Sequence, residues 1–267
     1  MDVCVLNSDH ESPKWLFNKK DTDIYRCTVC GCIMADNTFV HDQYESDDYY
    51  TLMRKTRESV DHEWGFRWRY ILGEVVRHTR PTTLLDVGAG NGYFVALARE
   101  EFGLEASGLE ISEKEIAFAK QVLGVELCNE DVARHKGTYD IVTAFNVLEH
   151  VADPVGFMGA LVAHLEPTGL LLLTTPNPGC IHARVKGLQG WSMVDPPHHI
   201  NLFTGRALRE LLARYQLVEV EYATLSTYIN VVRKLDTSDL HLRRAVFQAL
   251  RLLGLGADHF VIARRAV

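Results

Sequence analysis

Two groups of residues have types and spacings that suggest chemistry. Four of the six cysteines, Cys4, Cys27, Cys30 and Cys32, crowd into the first 32 residues. Cys27-Thr-Val-Cys30-Gly31 is a C-x-x-C-Gly knuckle, a turn that presents two thiolates to one Zn²⁺. Cys4 offers a third thiolate, and the fourth ligand falls to His10 or Cys32. The reading is a structural zinc on Cys4, Cys27, Cys30 and His10; the alternative is a degenerate module with free thiols. The second group is Leu84-Leu-Asp-Val-Gly-Ala-Gly-Asn-Gly-Tyr-Phe94. A glycine loop at the end of a strand, opening a helix, lets backbone approach a ligand closely. A dinucleotide fingerprint is not met, because the third glycine position holds Tyr93, and no Gly-Lys-Ser/Thr follows to make a P-loop. Asp86, two residues before Gly88, suits a cationic group and would repel a pyrophosphate.

The elements that must position these groups alternate. Residues 46 to 80 read as a helical cover, with Val60, Trp64, Trp68, Ile71, Leu72, Val75 and Val76 at helical spacing and Pro81 as the stop. Strands are expected at Thr83–Val87, Glu105–Leu109, Val125–Cys128, Tyr139–Phe145, Leu170–Thr175, Leu217–Leu225 and His259–Arg264. Helices fall between them, and Ser112 with Glu115 makes a capping-box pattern. Near-continuous apolar strands separated by helices predict an α/β fold with a mostly parallel seven-stranded sheet and helices on both faces. The expected organisation is a small Cys-rich module at 1–45, the helical cover at 46–80, and an α/β domain at 81–267 with a helical insert at about 228–254. That insert reads as a lid or a homodimer contact.

The 267-residue chain has 28 basic and 35 acidic side chains, a net charge of −7. Residues 1–50 hold four basic and ten acidic ones, and so carry −6 of it. A phosphate backbone would be repelled there, which argues against a nucleic-acid partner. No apolar run approaches the roughly 18 to 20 residues a membrane helix needs. The first residues lack a basic stretch followed by an apolar one, so no signal peptide is expected and the chain reads as cytoplasmic.

Leu84–Phe94 resembles the first motif of the class I S-adenosylmethionine-dependent methyltransferases, and the later motifs fit in order and spacing. The resemblance covers about residues 80 to 265. It implies S-adenosylmethionine as cofactor, bound by Asp86, Gly88 and Gly90. It implies that Glu110 takes the ribose hydroxyls and that Ile111 packs on adenine. It also implies that Asp131 binds the adenine amino group, with Val132 and Asn146 completing the set. Leu148-Glu-His-Val151 and Thr175-Pro-Asn177 place the chain nearest the small-molecule group that includes ubiquinone-biosynthesis O-methyltransferases. The implied sheet order is 3-2-1-4-5-7-6, with the last strand antiparallel. The cysteine segment resembles a zinc module that precedes some methyltransferase domains, deoxysugar C-methyltransferases among them. Cys4-Val-Leu-Asn7 departs from their first C-x-x-C.

Methyl transfer to an alcohol or phenol requires proton removal, and histidine is the usual base. His150 follows the fourth strand; its alternative role is packing beneath the cofactor. His198 and His199 lie in Asp195-Pro-Pro-His-His-Ile-Asn-Leu-Phe-Thr204, which in the family borders the acceptor pocket; otherwise they order that loop. The sequence therefore points to methylation of a small-molecule acceptor, most readily at oxygen. The competing functions are RNA methylation with a zinc ribbon and non-catalytic cofactor binding.

Overall fold

The computed structural model describes residues 1–36, 56–226 and 248–266. The start of the expected helical cover, 46–55, and most of the expected insert, 227–247, lie outside the described residues. The chain forms two compact units. One gathers Met1–Phe39, Asn146–Met158 and Leu173–Val267, and the other Val40–Phe145 and Gly159–Leu172.

The second unit begins with α1 (Arg57–Val60), a π-helical turn (Asp61–Gly65) and α2 (Phe66–His78), ending just before Pro81 as the periodicity requires. Then follow β4 (Thr83–Val87), α3 (Tyr93–Phe102), β5 (Glu105–Leu109), α4 (Glu113–Phe118) and β6 (Tyr139–Phe145). The Ser112 hydroxyl caps α4 by accepting from the Glu115 amide (3.4 Å). β4 pairs in parallel with β5 and with β6, so it is a central strand. Its Leu84 and Leu85 are fully buried with Ile141 and Val142 of β6 and Val95 and Leu97 of α3.

β7 (Leu165–Pro176) runs through both units and is preceded by α5 (Pro154–Ala163). The order of hydrogen-bonded strands is β5-β4-β6-β7-β10-β9, with β9 (Leu217–Leu225) antiparallel to β10 (Asp258–Arg265). This matches the implied order except at one edge. Val125–Cys128 does not form a seventh strand, and only a single parallel bridge joins Cys128 to Leu109. The physical reason is its length: Gly124 turns the chain at φ +69° just before it, and Asp131 opens the next turn, accepting from the Ala133 amide (2.7 Å).

The first unit also builds a small sheet of its own, β1 (Lys14–Lys19), β2 (Thr22–Arg26), β3 (Ile33–Ala35) and β8 (Asn201–Leu202). Those N-terminal strands lack long apolar runs. They fold because Ile24 and Ile33 pack with Trp191, Ile200 and Leu202, residues more than 150 positions away. α6 (Ile181–Gly190) and α7 (Gly205–Arg214) flank β8 in sequence.

One carboxylate ties β4 to β6. Asp140 Oδ2 accepts from the Thr82 amide (2.7 Å), the Thr82 hydroxyl (2.8 Å) and the Thr83 amide (3.0 Å). Burial pushes this carboxyl up, but these donors outweigh it and hold it below its ordinary value. The stability it contributes is therefore present above the unfolded carboxylate pKa and lost as pH falls through the folded one. Asp140→Ala strands the donors and should cost about 1–3 kcal/mol at neutral pH. A lower urea midpoint with an unchanged slope checks this, and the gap to the wild type should narrow in acid.

Candidate functional site

Three constellations bear on function. The first lies in the second unit at the carboxyl ends of β4 and β5. The loop Gly88–Gly92 turns through left-handed backbone, with φ +71° at Gly88, +52° at Gly90 and +73° at Gly92. At Gly92 a Cβ would also lie 3.0 Å from that of Ala119, so this position admits no side chain without strain. The turn returns the Gly88 and Ala89 amides to Leu109 O (both 2.9 Å) and aims the Gly90 amide at Glu110 Oε2 (2.7 Å). Glu110 Oε1 accepts from the Ile111 and Ser112 amides (2.8 and 2.9 Å). Three backbone donors thus hold this carboxylate at the loop. Ile111 is partly exposed beside it, Val132 is buried and Asp131 is exposed.

Asp86 is buried beneath the loop, and its Oδ1 accepts from the Thr143 hydroxyl (2.6 Å). Burial lifts its carboxyl to about 7; Thr143 works against that shift and the Glu110 charge adds to it. A buried acid poised between neutral and charged favours a cation placed next to it.

The second constellation lies in the first unit, around the turn Leu148–His150. Asn146 takes left-handed backbone (φ +54°) and accepts from the Thr174 hydroxyl (2.9 Å). Its Nδ2 donates to Asp258 (3.4 Å). His150 Nδ1 bonds His198 O (2.9 Å), and His199 Nδ1 bonds Met193 O (2.8 Å). The two rings meet edge-on at 4.8 Å. Burial pushes His150 down to about 3, with His199 adding to the shift, and burial lowers His199 as well. The structure thus brings His150, His198 and His199 together. It adds Glu149, which the sequence left unremarked between two singled-out residues. Glu149 is fully buried, accepts from the Thr175 hydroxyl (3.0 Å), and is lifted to about 8 by burial.

The third is the cysteine cluster, also in the first unit. Ligand atoms of Cys4, His10, Cys27 and Cys30 all lie within 4.8 Å of one another. Cys4 and Cys30 sulfurs are 3.6 Å apart, and Cys27 Sγ is 3.3 Å from His10 Nδ1. Tetrahedral zinc with bonds of about 2.3 Å to sulfur holds thiolates about 3.7 Å apart, so the donor set fits the ion. Of the two candidates for the fourth ligand, it is His10 whose donor atom lies with those of the three cysteines. Cys32 is buried with its sulfur toward Ile33 O (3.9 Å). The other nitrogen of His10 lies 2.9 Å from Glu210 of α7, a carboxylate that fixes the ring and its tautomer. Gly31 holds the knuckle open at φ +78°; a side chain there would press on Thr204, whose hydroxyl donates to Cys30 O (2.7 Å). With zinc bound, the four residues would cross-link the N-terminal strands where a core is too small to do so.

Two outcomes follow. Elemental analysis of the purified chain should find one zinc, lost in Cys27→Ser with a drop in unfolding temperature. Glu210→Gln should keep the fold but weaken zinc about 10- to 100-fold in a chelator competition. For Asp86, the folded carboxyl lies above its unfolded value, so the cofactor-free protein loses stability as pH rises from about 4 to 7. The slope reaches at most about 1.4 kcal/mol per pH unit. Asp86→Asn should remove that component from urea midpoints measured across the same range.

The comparisons with known proteins agree with the fold. Residues 59–222 match a family described as a methyltransferase domain. A ubiquinone biosynthesis O-methyltransferase of Thiobacillus denitrificans is 33% identical over 103 residues, 35% of this chain and 44% of that protein. Its namesake in Cronobacter sakazakii is 36% identical over 104 residues, 35% of this chain and 42% of that protein. The chain thus spans under half the length of these relatives. Magnesium protoporphyrin IX methyltransferase from Synechocystis, solved with S-adenosylhomocysteine, superimposes with a TM-score of 0.58 at 17% identity. That match covers 86% of this chain and 100% of the other. A methyltransferase from Archaeoglobus fulgidus gives 0.54 at 20%, covering 76% and 98%. By its matched domain, its sheet order and the motifs that follow β4 and β5, the chain belongs to the class I S-adenosylmethionine-dependent methyltransferases.

Proposed function

We propose that this protein transfers the methyl group of S-adenosylmethionine to an oxygen of a small-molecule acceptor in the cytoplasm. The observation that carries the reading is the intact cradle of the glycine loop. Glu110 stands ready with two carboxylate oxygens for a diol, and Asp86 is poised for a cation. Asp131, Val132 and Asn146 complete the cofactor contacts in this reading. Small-molecule O-methylation is supported by the likeness to ubiquinone biosynthesis O-methyltransferases, whose named reaction is of that kind. The acidic N-terminal segment speaks against an RNA acceptor. Among the described residues no helix is long and apolar enough to cross a membrane.

The cofactor supplies the electrophilic carbon when bound. The chain's own residues hold it in line with the acceptor and accept a proton from the acceptor hydroxyl. Of the three histidines, His150 and His199 are pushed toward the neutral form by burial, His150 to about 3. We assign proton acceptance to His198, half-buried on the same loop. His150 and His199 then shape the loop around it.

Methyl-labelled S-adenosylmethionine, incubated with purified protein and a lysate of the source organism, tests this directly. Label is expected in the small-metabolite fraction. Label in RNA or protein, or cofactor binding with no transfer to any fraction, overturns the reading. With the acceptor in hand, His198→Ala should lower kcat by about 10²-fold or more while leaving cofactor affinity unchanged.

A further inference from the structure

The loop between the Cys128 bridge and β6 carries Asp131 and Val132, and two histidines hold it. His135 lies on the loop itself. Its Nδ1 faces Glu130 Oε2 (2.9 Å), which only accepts, and its Nε2 faces the Tyr139 hydroxyl (2.8 Å), which can donate. Burial pushes that phenol up, so it keeps its proton. One proton on Nδ1 therefore satisfies His135 as a neutral ring. His164 stands at the junction of α5 and β7, its ring 5.3 Å from that of His135 between centroids. It is buried, and both of its nitrogens face main-chain carbonyls. Nδ1 meets Gly137 O (2.8 Å) and Nε2 meets Val132 O (2.9 Å). A carbonyl only accepts. A neutral ring donates to one of the two and turns a lone pair on the other, whereas a ring with a proton on each nitrogen bonds both. The form that fits is the imidazolium. The carbonyl end of α5, directly before His164, favours a positive charge there, and a neutral His135 spares it a repelling neighbour.

Resting on the cofactor contacts proposed for Asp131 and Val132, we infer that His164 is a positioning residue for the cofactor. As an imidazolium it clamps the carbonyls of Val132 and Gly137, and loss of one proton releases one side of the loop that Asp131 and Val132 present to adenine. The clamp is complete at low pH. It weakens as pH rises through the range in which imidazoles ordinarily give up a proton, about pH 5 to 8. The ionisable groups around the ring are Glu130, Asp131 and His135 on the loop, Tyr139 and Asp140 on β6, and Glu166 on β7. Asp140 is turned to Thr82 and Thr83, and Glu166 accepts from the Thr138 hydroxyl. Arg134 and Lys136 of the loop are exposed to solvent. Carboxyls and phenols ordinarily change charge outside that pH range, which leaves His135 as the group to separate from His164.

The test titrates S-adenosylhomocysteine into the full chain by calorimetry across about pH 5 to 8, in the wild type, His164→Gln and His135→Gln. The Kd of the wild type should rise about tenfold more over this range than that of His164→Gln, the worth of one hydrogen bond to a charged group. Comparing the two profiles removes the contribution of Asp86 and of every other group they share. His135→Gln should keep the wild-type slope. Amide hydrogen exchange, corrected for its intrinsic pH dependence, should show residues 133–138 losing protection as pH rises in the wild type and not in His164→Gln. Nitrogen spectra of the ¹⁵N-histidine-labelled wild type should find a proton on both His164 nitrogens at the acid end of the range, and this readout stands if His164→Gln does not fold. Parallel affinity and exchange profiles in wild type and His164→Gln, or a neutral His164 ring at the acid end, overturn the proposal. Asp131→Ala tells the two readings apart. If it weakens binding while the profiles stay parallel, the clamp alone fails. If it leaves binding unchanged, the proposed cofactor contact fails, and the exchange and nitrogen spectra still decide the clamp.

Discussion

The second unit is organised around the Glu110 carboxylate and the three backbone amides that grip it. A carboxylate buried at the end of a strand needs donors, and side chains are too long to supply them in so tight a place. The chain supplies main-chain N–H groups by turning through left-handed backbone at Gly88 to Gly92, which only glycine does without strain. That requirement explains the glycines, and it explains why β5 must lie beside β4: the loop amides also hydrogen-bond Leu109 O. It also places the apolar run that follows, Tyr93 to Ala98, on a helix whose start is set by the Asn91 side chain (3.0 Å to the Tyr93 amide). Register, loop and helix entry thus follow from neutralising one acid.

The N-terminal module obeys a different constraint. It has few residues to bury and no long apolar strand, so its order depends on partners elsewhere in the chain. β3 pairs with β8, Thr204 holds the Cys30 carbonyl, and Glu210 orients His10. A metal on Cys4, His10, Cys27 and Cys30 would lock in place strands that a core this small does little to hold. The knuckle spacing announces itself in the sequence because two ligands share one turn. Cys4 and His10 do not, because their spacing is set by a loop and their identity by a carboxylate two hundred residues downstream.

The same distinction separates what was legible from what was not. Strand and helix periodicity located β4, β5, β6, β9 and β10 to within a residue or two and β7 to within five, since most of these strands carry buried apolar runs that their composition must show. Val125–Cys128 has the composition of a strand, but a left-handed Gly124 and the turn at Asp131 leave room for a single bridge. The short strands β1 to β3 and β8 were not readable, because their stability comes from contacts across long sequence separations rather than from local pattern. Glu110 could be picked out from its motif. Glu149 could not, because nothing in Leu-Glu-His tells a solvated carboxylate from one with no exposed surface.

Five acids are buried among the described residues, and three of them, Glu110, Asp86 and Glu149, are answered in different ways. Glu110 receives three amides and remains a ready acceptor for hydroxyl donors. Asp86 receives one hydroxyl, too little to keep it charged, and so waits near pH 7 for a cation. Glu149 accepts from the Thr175 hydroxyl, and burial lifts its carboxyl to about 8, so that a proton answers it at neutral pH. If stability alone had shaped these positions, neutral residues of similar volume would have served at lower cost. Burial of charge that is only partly compensated makes sense where something else completes the compensation. For Asp86 the cationic centre of the proposed cofactor would be that partner.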